Sequence, residues 1–220
     1  MRGSTDVSTD LVGERLLQVV YGTEERARRF YDTQLLDHLN HAMREFVGRQ
    51  EMMFVATADR GGNCDATFRA GPPGFVVVLN EGQLAWPEYR GNGVMAGLGN
   101  ISTNRHAGLL FVDFQELIGL HVNGRATIVE NGEMRDAYPW VDDAGRAPER
   151  WVRLDVDEAF IHCRKHIPRM VKVPRDRNWG TDNVRSKGGD YFDAARDRDP
   201  GAPPPAPDTG PRRWWHRLRI

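Results

Sequence analysis

Cysteine is scarce. Cys64 and Cys163 are the only two in 220 residues, too few for the disulfide framework of a secreted mini-domain. An excess of one charge sign is also missing. Thirty Lys and Arg stand against 31 Asp and Glu, a formal net charge of -1, so the chain as a whole carries no nucleic-acid footprint. No apolar run approaches the roughly 20 residues that cross a bilayer. The opening MRGSTDVSTD is polar and lacks the apolar core of a signal peptide. The expected setting is a reducing cytoplasm, with no nucleic-acid partner. What is present is enough for a core: 40% hydrophobic residues, punctuated by 23 glycines.

The apolar periodicity changes along the chain. Residues 1–50 read as a helical extension. Leu11, Leu16, Leu17 and Val20 mark a short amphipathic helix, broken at Gly22. Thr23 then reads as an N-cap, with Glu24 and Glu25 in the first turn of a second helix that closes at Phe30 and Tyr31. A third is expected from Leu35 to Val47. His38 and His41 lie in it, and two ligands do not make a metal site. Residues 51–175 read as β structure. Seven short runs separated by glycine turns occupy it: 52–59, 64–69, 75–79, the stretch from Leu84, 107–112, 117–130 and 151–160. This spacing predicts an antiparallel barrel or sandwich. Gly124, inside GLHVNGRATIVE, marks a close approach by a ligand or another backbone. From residue 176 the chain turns polar and proline-rich, and 176–220 reads as a disordered tail.

The chemistry concentrates in LAWPEYRGNGVMAGLGN, Leu84–Asn100. A strand ends at Pro87, and Arg90-Gly91-Asn92-Gly93 forms a tight turn. Val94, Met95, Leu98 and Ile101 then fall at helical spacing. A strand, a glycine turn and a helix start present free backbone N–H groups at one point, which suits a phosphate, with Arg90 at its lip. The alternative is a plain connection whose glycines serve only the turn.

The linked stretches FVATADRGGNCDATFRAGPPGFVVVL, LAWPEYRGNGVMAGLGNISTNRHAGLLFVDF and GLHVNGRATIVE resemble the pyridoxamine 5′-phosphate oxidase-like, flavin-binding split barrels. The resemblance implies a mainly β fold with flanking N-terminal helices: a six-stranded antiparallel split barrel. It implies a homodimer, with FMN in a cleft between subunits and a small-molecule substrate over the ring. Among site residues it implies Arg69, with Thr67, at the cofactor phosphate, the turn Gly91-Asn92, His121 and Asn123 near the ring, and Arg164 and Lys165 beside Cys163. Departures accompany it. Relatives often carry Arg or Lys just after the Gly-Asn pair, where Gly93-Val94 stand here. The lysine that follows the matched arginine in pyridoxamine phosphate oxidases is replaced by Ala70-Gly71-Pro72-Pro73-Gly74. The phosphate would then be gripped by Arg69, Arg90, backbone N–H groups and Arg164 or Lys165 of the other subunit. Arg69 has a second reading, a pair with an acid across the sheet, and His121 and Asn123 a second, ordinary solvent-face residues.

Other cofactors of the same fold are a deazaflavin coenzyme, or haem with His121, His162 or His166 as axial ligand. Trp86, Leu109 and Phe111 are expected in the dimer interface. The terminal PRRWWHRLRI combines four arginines with tryptophan and leucine, a composition for weak contact with an anionic membrane surface.

Overall fold

The computed structural model describes residues 12–141, 148–173, 178–181, 183, 190–192 and 194–198. The chain divides into two compact units, Met1–Gly180 and Thr181–Ile220. In the second, a five-residue helix covers Ala194–Arg198. The terminal PRRWWHRLRI, and most of the expected disordered tail, lie outside the described residues.

The first unit is built on one antiparallel sheet. Its strands are β1 (Met52–Ala58), β2 (Cys64–Ala70), β3 (Val77–Asn80), β4 (Gln83–Glu88), β5 (His106–Asp113), β6 (Ile118–Glu130) and β7 (Arg150–His162). They lie in the order β2-β1-β5-β6-β7-β4-β3. The sheet therefore has seven strands where the resemblance implied six. The short β3 pairs only with β4, at the edge. The sheet is open, a split barrel rather than a closed one.

Local chemistry explains the connections. Asp59 organises the β1–β2 hairpin: its carboxylate accepts from the Gly61 and Asn63 N–H groups at 2.8 and 2.9 Å and from Asn63 Nδ2 at 2.8 Å. Those bonds, Asn63's side chain foremost, hold its carboxyl below the usual range. Between β6 and β7 the register shifts at Asn123/Gly124. A Cβ on Gly124 would strike the Asp155 carbonyl oxygen, so the close approach expected there is that of backbone.

Strand alternation sends Met53, Val55, Leu109, Phe111, Leu120, Val122, Val152, Leu154 and Ala159 inward, with Leu84 and Trp86 from β4. Helix α3 (His41–Gly48) adds Phe46 and Val47, and α4 (Ala96–Thr103) adds Ile101. Trp86, Leu109 and Phe111 are at most 1% exposed in this single chain, so they belong to its core and not to a subunit interface. The run Leu109–Val112 is apolar on both faces, and alternation alone cannot say which set points inward.

The helical region differs most from expectation at its third helix. The third helix starts at His41, not Leu35, because Asn40 Oδ1 caps the Met43 N–H at 3.0 Å. Leu36 instead exchanges backbone bonds with Ala159 of β7, at 3.0 and 2.7 Å. Helices α1 (Val12–Tyr21) and α2 (Glu24–Gln34) pack on each other. The Tyr31 hydroxyl bonds Glu14 and receives Gln18 Nε2. Thr23 stands at the N-cap of α2 without a side-chain capping bond. Helix α5 (Asn131–Ala137), not anticipated, buries Met134 against Trp151 and Ala85. Among the described residues no helix is long and apolar enough to cross a membrane.

Candidate functional site

Two polar groups stand out, one on each face of the sheet. On β2, Asp65, Thr67 and Arg69 pair with the buried Thr57, Val55 and Met53 and so share the inner face. Glu88 lies two residues beyond Trp86 on β4 and faces inward as well, 9% exposed. Four strands separate β2 from β4 in the sheet, yet its curl brings these side chains together. Arg69 Nε donates to Glu88 Oε1 at 2.7 Å, and Trp86 Nε1 donates to the same oxygen at 2.9 Å. Arg69 Nη1 donates to Thr67 Oγ1 at 2.8 Å and to the Phe68 carbonyl at 3.2 Å. A Cβ on Gly97, in the first turn of α4, would lie 3.7 Å from Asp65 Oδ2, 3.9 Å from Thr57 Oγ1 and 4.0 Å from Arg69 Nη2. Asn100 of α4 donates to Thr57 Oγ1 at 3.1 Å. The mouth of the barrel is thus a polar cluster beneath a bare stretch of helix.

Arg90, Gly91, Asn92 and Gly93 form the exposed loop that enters α4. Asn92 Oδ1 accepts the Val94 N–H at 3.0 Å, which stabilises the turn itself. Gly93 has φ 83°, the left-handed conformation that glycine adopts without strain. Helix α4 begins without a side-chain cap.

His121 and Asn123 lie on the opposite, outer face. Strand pairing aligns Phe68, Phe54, Leu110, His121 and Phe160 in one row across five strands. Phe54 and Phe68 touch edge to face and stay 41% and 50% exposed. His121 stacks on Phe160 at 4.7 Å, and its Nε2 lies 2.8 Å from His162 Nδ1, so one ring donates and the other accepts. Burial, and next the charge of His162, push the His121 imidazole below its ordinary value. Asn123 Nδ2 donates to Glu158 Oε1 at 2.8 Å. Two glycines make room: a Cβ on Gly119 would lie 2.6 Å from that of His162, and one on Gly108 would lie 3.0 Å from Asn123 Oδ1. Arg164 and Lys165 are exposed in a 3-10 turn directly after β7.

Within one chain, therefore, Thr67 and Arg69 are not brought together with His121 and Asn123. Glu88, Phe160 and Glu158 had escaped notice. Glu88 was legible as a lone acid two residues after a strand tryptophan; the others had no such mark. Among the described residues no group of three or more His, Cys, Asp or Glu could hold a metal.

The model of the family described as pyridoxamine 5′-phosphate oxidase matches residues 39–163, more than half of the chain.

This chain belongs to the pyridoxamine 5′-phosphate oxidase family.

No curated protein matches the sequence. Three solved structures show the range of likeness to this family member. HupZ from Group A Streptococcus is 22% identical, with 56% of this chain and 92% of that one covered, at a TM-score of 0.44. A Lactobacillus delbrueckii protein, described as a candidate pyridoxamine 5′-phosphate oxidase, is 20% identical, with 58% and 99% covered and a TM-score of 0.44. HutZ, the haem storage protein of Vibrio cholerae, is 16% identical, with 56% and 94% covered and a TM-score of 0.38. None of the three is close enough to carry a function across.

The pyridoxamine 5′-phosphate oxidase resemblance implied FMN, a flat ring system ending in a phosphate. The ring half fits the residues present. The outer face offers a half-exposed apolar row, small neighbours at Ala56, Ala66 and Gly108, and hydrogen-bonding edges at His121 and Asn123. The phosphate half does not fit Arg69, whose guanidinium already holds Glu88.

Proposed function

We propose that this chain is a flavin-dependent oxidoreductase, with FMN as the flavin implied by its family, bound between two copies of the chain. The observation that carries this reading is the outer face. A planar, largely apolar ring needs an apolar bed with a few hydrogen-bonding groups at its edge. The row Phe68, Phe54, Leu110 supplies the bed, and His121 and Asn123 supply the edge. Two half-exposed phenylalanines also argue for a cover, and a second copy of the chain is the cover proposed. The flavin would supply the electron chemistry; the protein binds it, orients the small-molecule substrate and keeps water away. His121, held by His162 and Phe160, is the residue placed to donate or accept a hydrogen bond at the ring edge. Membership of the family supports oxidoreductase chemistry. The sequence at Ala70–Gly74 argues against vitamin B6 oxidation itself.

A second reading has its own observation. His121 and His162 form a half-buried imidazole pair beside Phe160, a setting that also suits the axial ligand of a haem held without turnover. The absorption spectrum of the purified chain, with the extracted cofactor identified by mass, separates the readings. A released flavin supports the first. A Soret band replaces it with the second. A colourless protein that binds only an added deazaflavin replaces FMN with that coenzyme.

A further inference from the structure

We infer that Glu88 is a built-in counter-ion that withholds Arg69 from any phosphate, so that the chain takes a flavin by its ring and does not select the phosphorylated form. The inference rests on the flavin reading above, with the ring on the outer face of one copy and the phosphate directed to the barrel mouth of the other, and adds a specificity-determining residue to it.

The geometry at the barrel mouth carries it. A guanidinium binds phosphate best with two parallel N–H groups. On Arg69, Nε is spent on Glu88 and Nη1 on Thr67 and the Phe68 carbonyl. Glu88 cannot step aside freely, because Trp86 also donates to it. Moving it would strand a buried indole N–H and leave a carboxylate unpaired beside the core. An anion at the remaining Nη2 would still meet the charge of Glu88, whose Oε1 lies 2.7 Å from Nε of the same guanidinium. Both side chains of the ion pair are mostly buried, 24% and 11% exposed, so repulsion there is weakly screened. Arg150 stands opposite Glu88 in the β4–β7 register, and its Nη1 reaches Met95 Sδ at 3.8 Å. The ion pair also joins β2 to β4 across the split, so a phosphate that captured Arg69 would undo a contact that holds the fold.

The test compares riboflavin and FMN by fluorescence titration of the full chain and of Glu88→Gln. Glutamine keeps an oxygen for Trp86 and for Arg69 Nε while removing the charge. The unmodified chain is expected to bind the two flavins within about tenfold of each other, less than a charge-assisted phosphate contact gives. Glu88→Gln is expected to bind FMN about tenfold more tightly and riboflavin unchanged. A parallel arm uses inorganic phosphate alone, against chloride of matched ionic strength, with the thermal midpoint as readout. Phosphate is expected to leave the unmodified chain's midpoint unmoved and to raise that of Glu88→Gln. A preference for FMN above about tenfold in the unmodified chain overturns the inference, whichever cation supplies it. A folded Glu88→Gln that gains affinity for neither FMN nor phosphate also overturns it. If that variant does not fold, the ratio on the unmodified chain decides. If neither flavin binds, the flavin reading fails, and the phosphate arm decides about Glu88 by itself.

Discussion

On the inner face of the sheet, the charges of Arg69 and Glu88 find each other within one chain, and the aromatic side chains Trp86 and Phe111 are buried to 1% and 0% exposure. On the outer face, Phe54 and Phe68 remain about half exposed, and His121, Asn123 and His162 are half-buried among them. On the inner face Thr67, Arg69, Trp86 and Glu88 are bonded to one another, and the large side chains are buried. The outer face is the one with apolar area still in contact with water and with polar groups at its edge. Binding chemistry is drawn to the second kind of surface, because desolvating it gains free energy that the inner face has already gained in folding. Arg69, expected at a cofactor phosphate, bonds Glu88 within this chain, whereas His121 and Asn123 lie on the half-exposed face.

Substitutions can break this contrast. The largest effect is expected at Phe111. Phe111→Ala should cost about 4 kcal/mol, by lost burial plus a cavity, read as a lowered urea midpoint at unchanged slope. A loss under about 1 kcal/mol would place Phe111 outside the core after all. Next is Glu88→Ala, which leaves Arg69 unpaired and the Trp86 indole without an acceptor. About 3 kcal/mol is expected, the lower end for a broken buried pair, since Arg69 keeps some contact with water. The same urea titration measures it, and a neutral result would mean that the clasp between β2 and β4 contributes nothing.

On the outer face the expected losses of fold stability are smaller. Gly119→Ala forces a Cβ against His162, and about 2 kcal/mol is expected as the strand or the imidazole gives way. The distinctive readout is loss of the His121–His162 contact, visible in the imidazole NMR signals. Phe68→Glu should change monomer stability by no more than about 0.5 kcal/mol. If the outer face is the dimer surface, sedimentation velocity will show the variant as a monomer under conditions where the parent is a dimer. An unchanged sedimentation coefficient would move the interface elsewhere.

The smallest effect concerns pH. Burial first, then the charge of His162, hold the His121 imidazole below its ordinary 6.5. As pH falls, the unfolded chain takes up this proton before the folded one does. The contribution to stability is therefore complete above the unfolded value and is lost as pH drops through and below it. Urea midpoints between about pH 8 and about pH 5 should decline, and His121→Gln should flatten part of that decline. An identical slope in the variant would show that His121 does not titrate differently on folding.

Much of the fold could be read from residue order. Glycine-bounded apolar runs located all seven strands, because backbone turns demand particular residues wherever they occur. Asp59-Arg60-Gly61-Gly62-Asn63 read as a hairpin turn and is one. Local chemistry was less decisive where two local signals competed, as at Leu35–Asn40, where the capping side chain of Asn40 and the pairing of Leu36 with β7 overrode helical periodicity. The residue types of the candidate site were also legible, since a strand carrying His121 and Asn123 among apolar neighbours is conspicuous. Tertiary structure alone decided which of them share a surface. Period-two alternation says that Thr67 and Arg69 lie on one face of β2 and that His121 and Asn123 lie on one face of β6, but not whether those faces coincide. That depends on register across β1 and β5, set by long-range pairing. The same holds for Arg69 and Glu88, 19 residues apart in the chain and separated by four strands in the sheet. Only the curl of the whole barrel brings them to 2.7 Å, because strand twist accumulates over every strand between them.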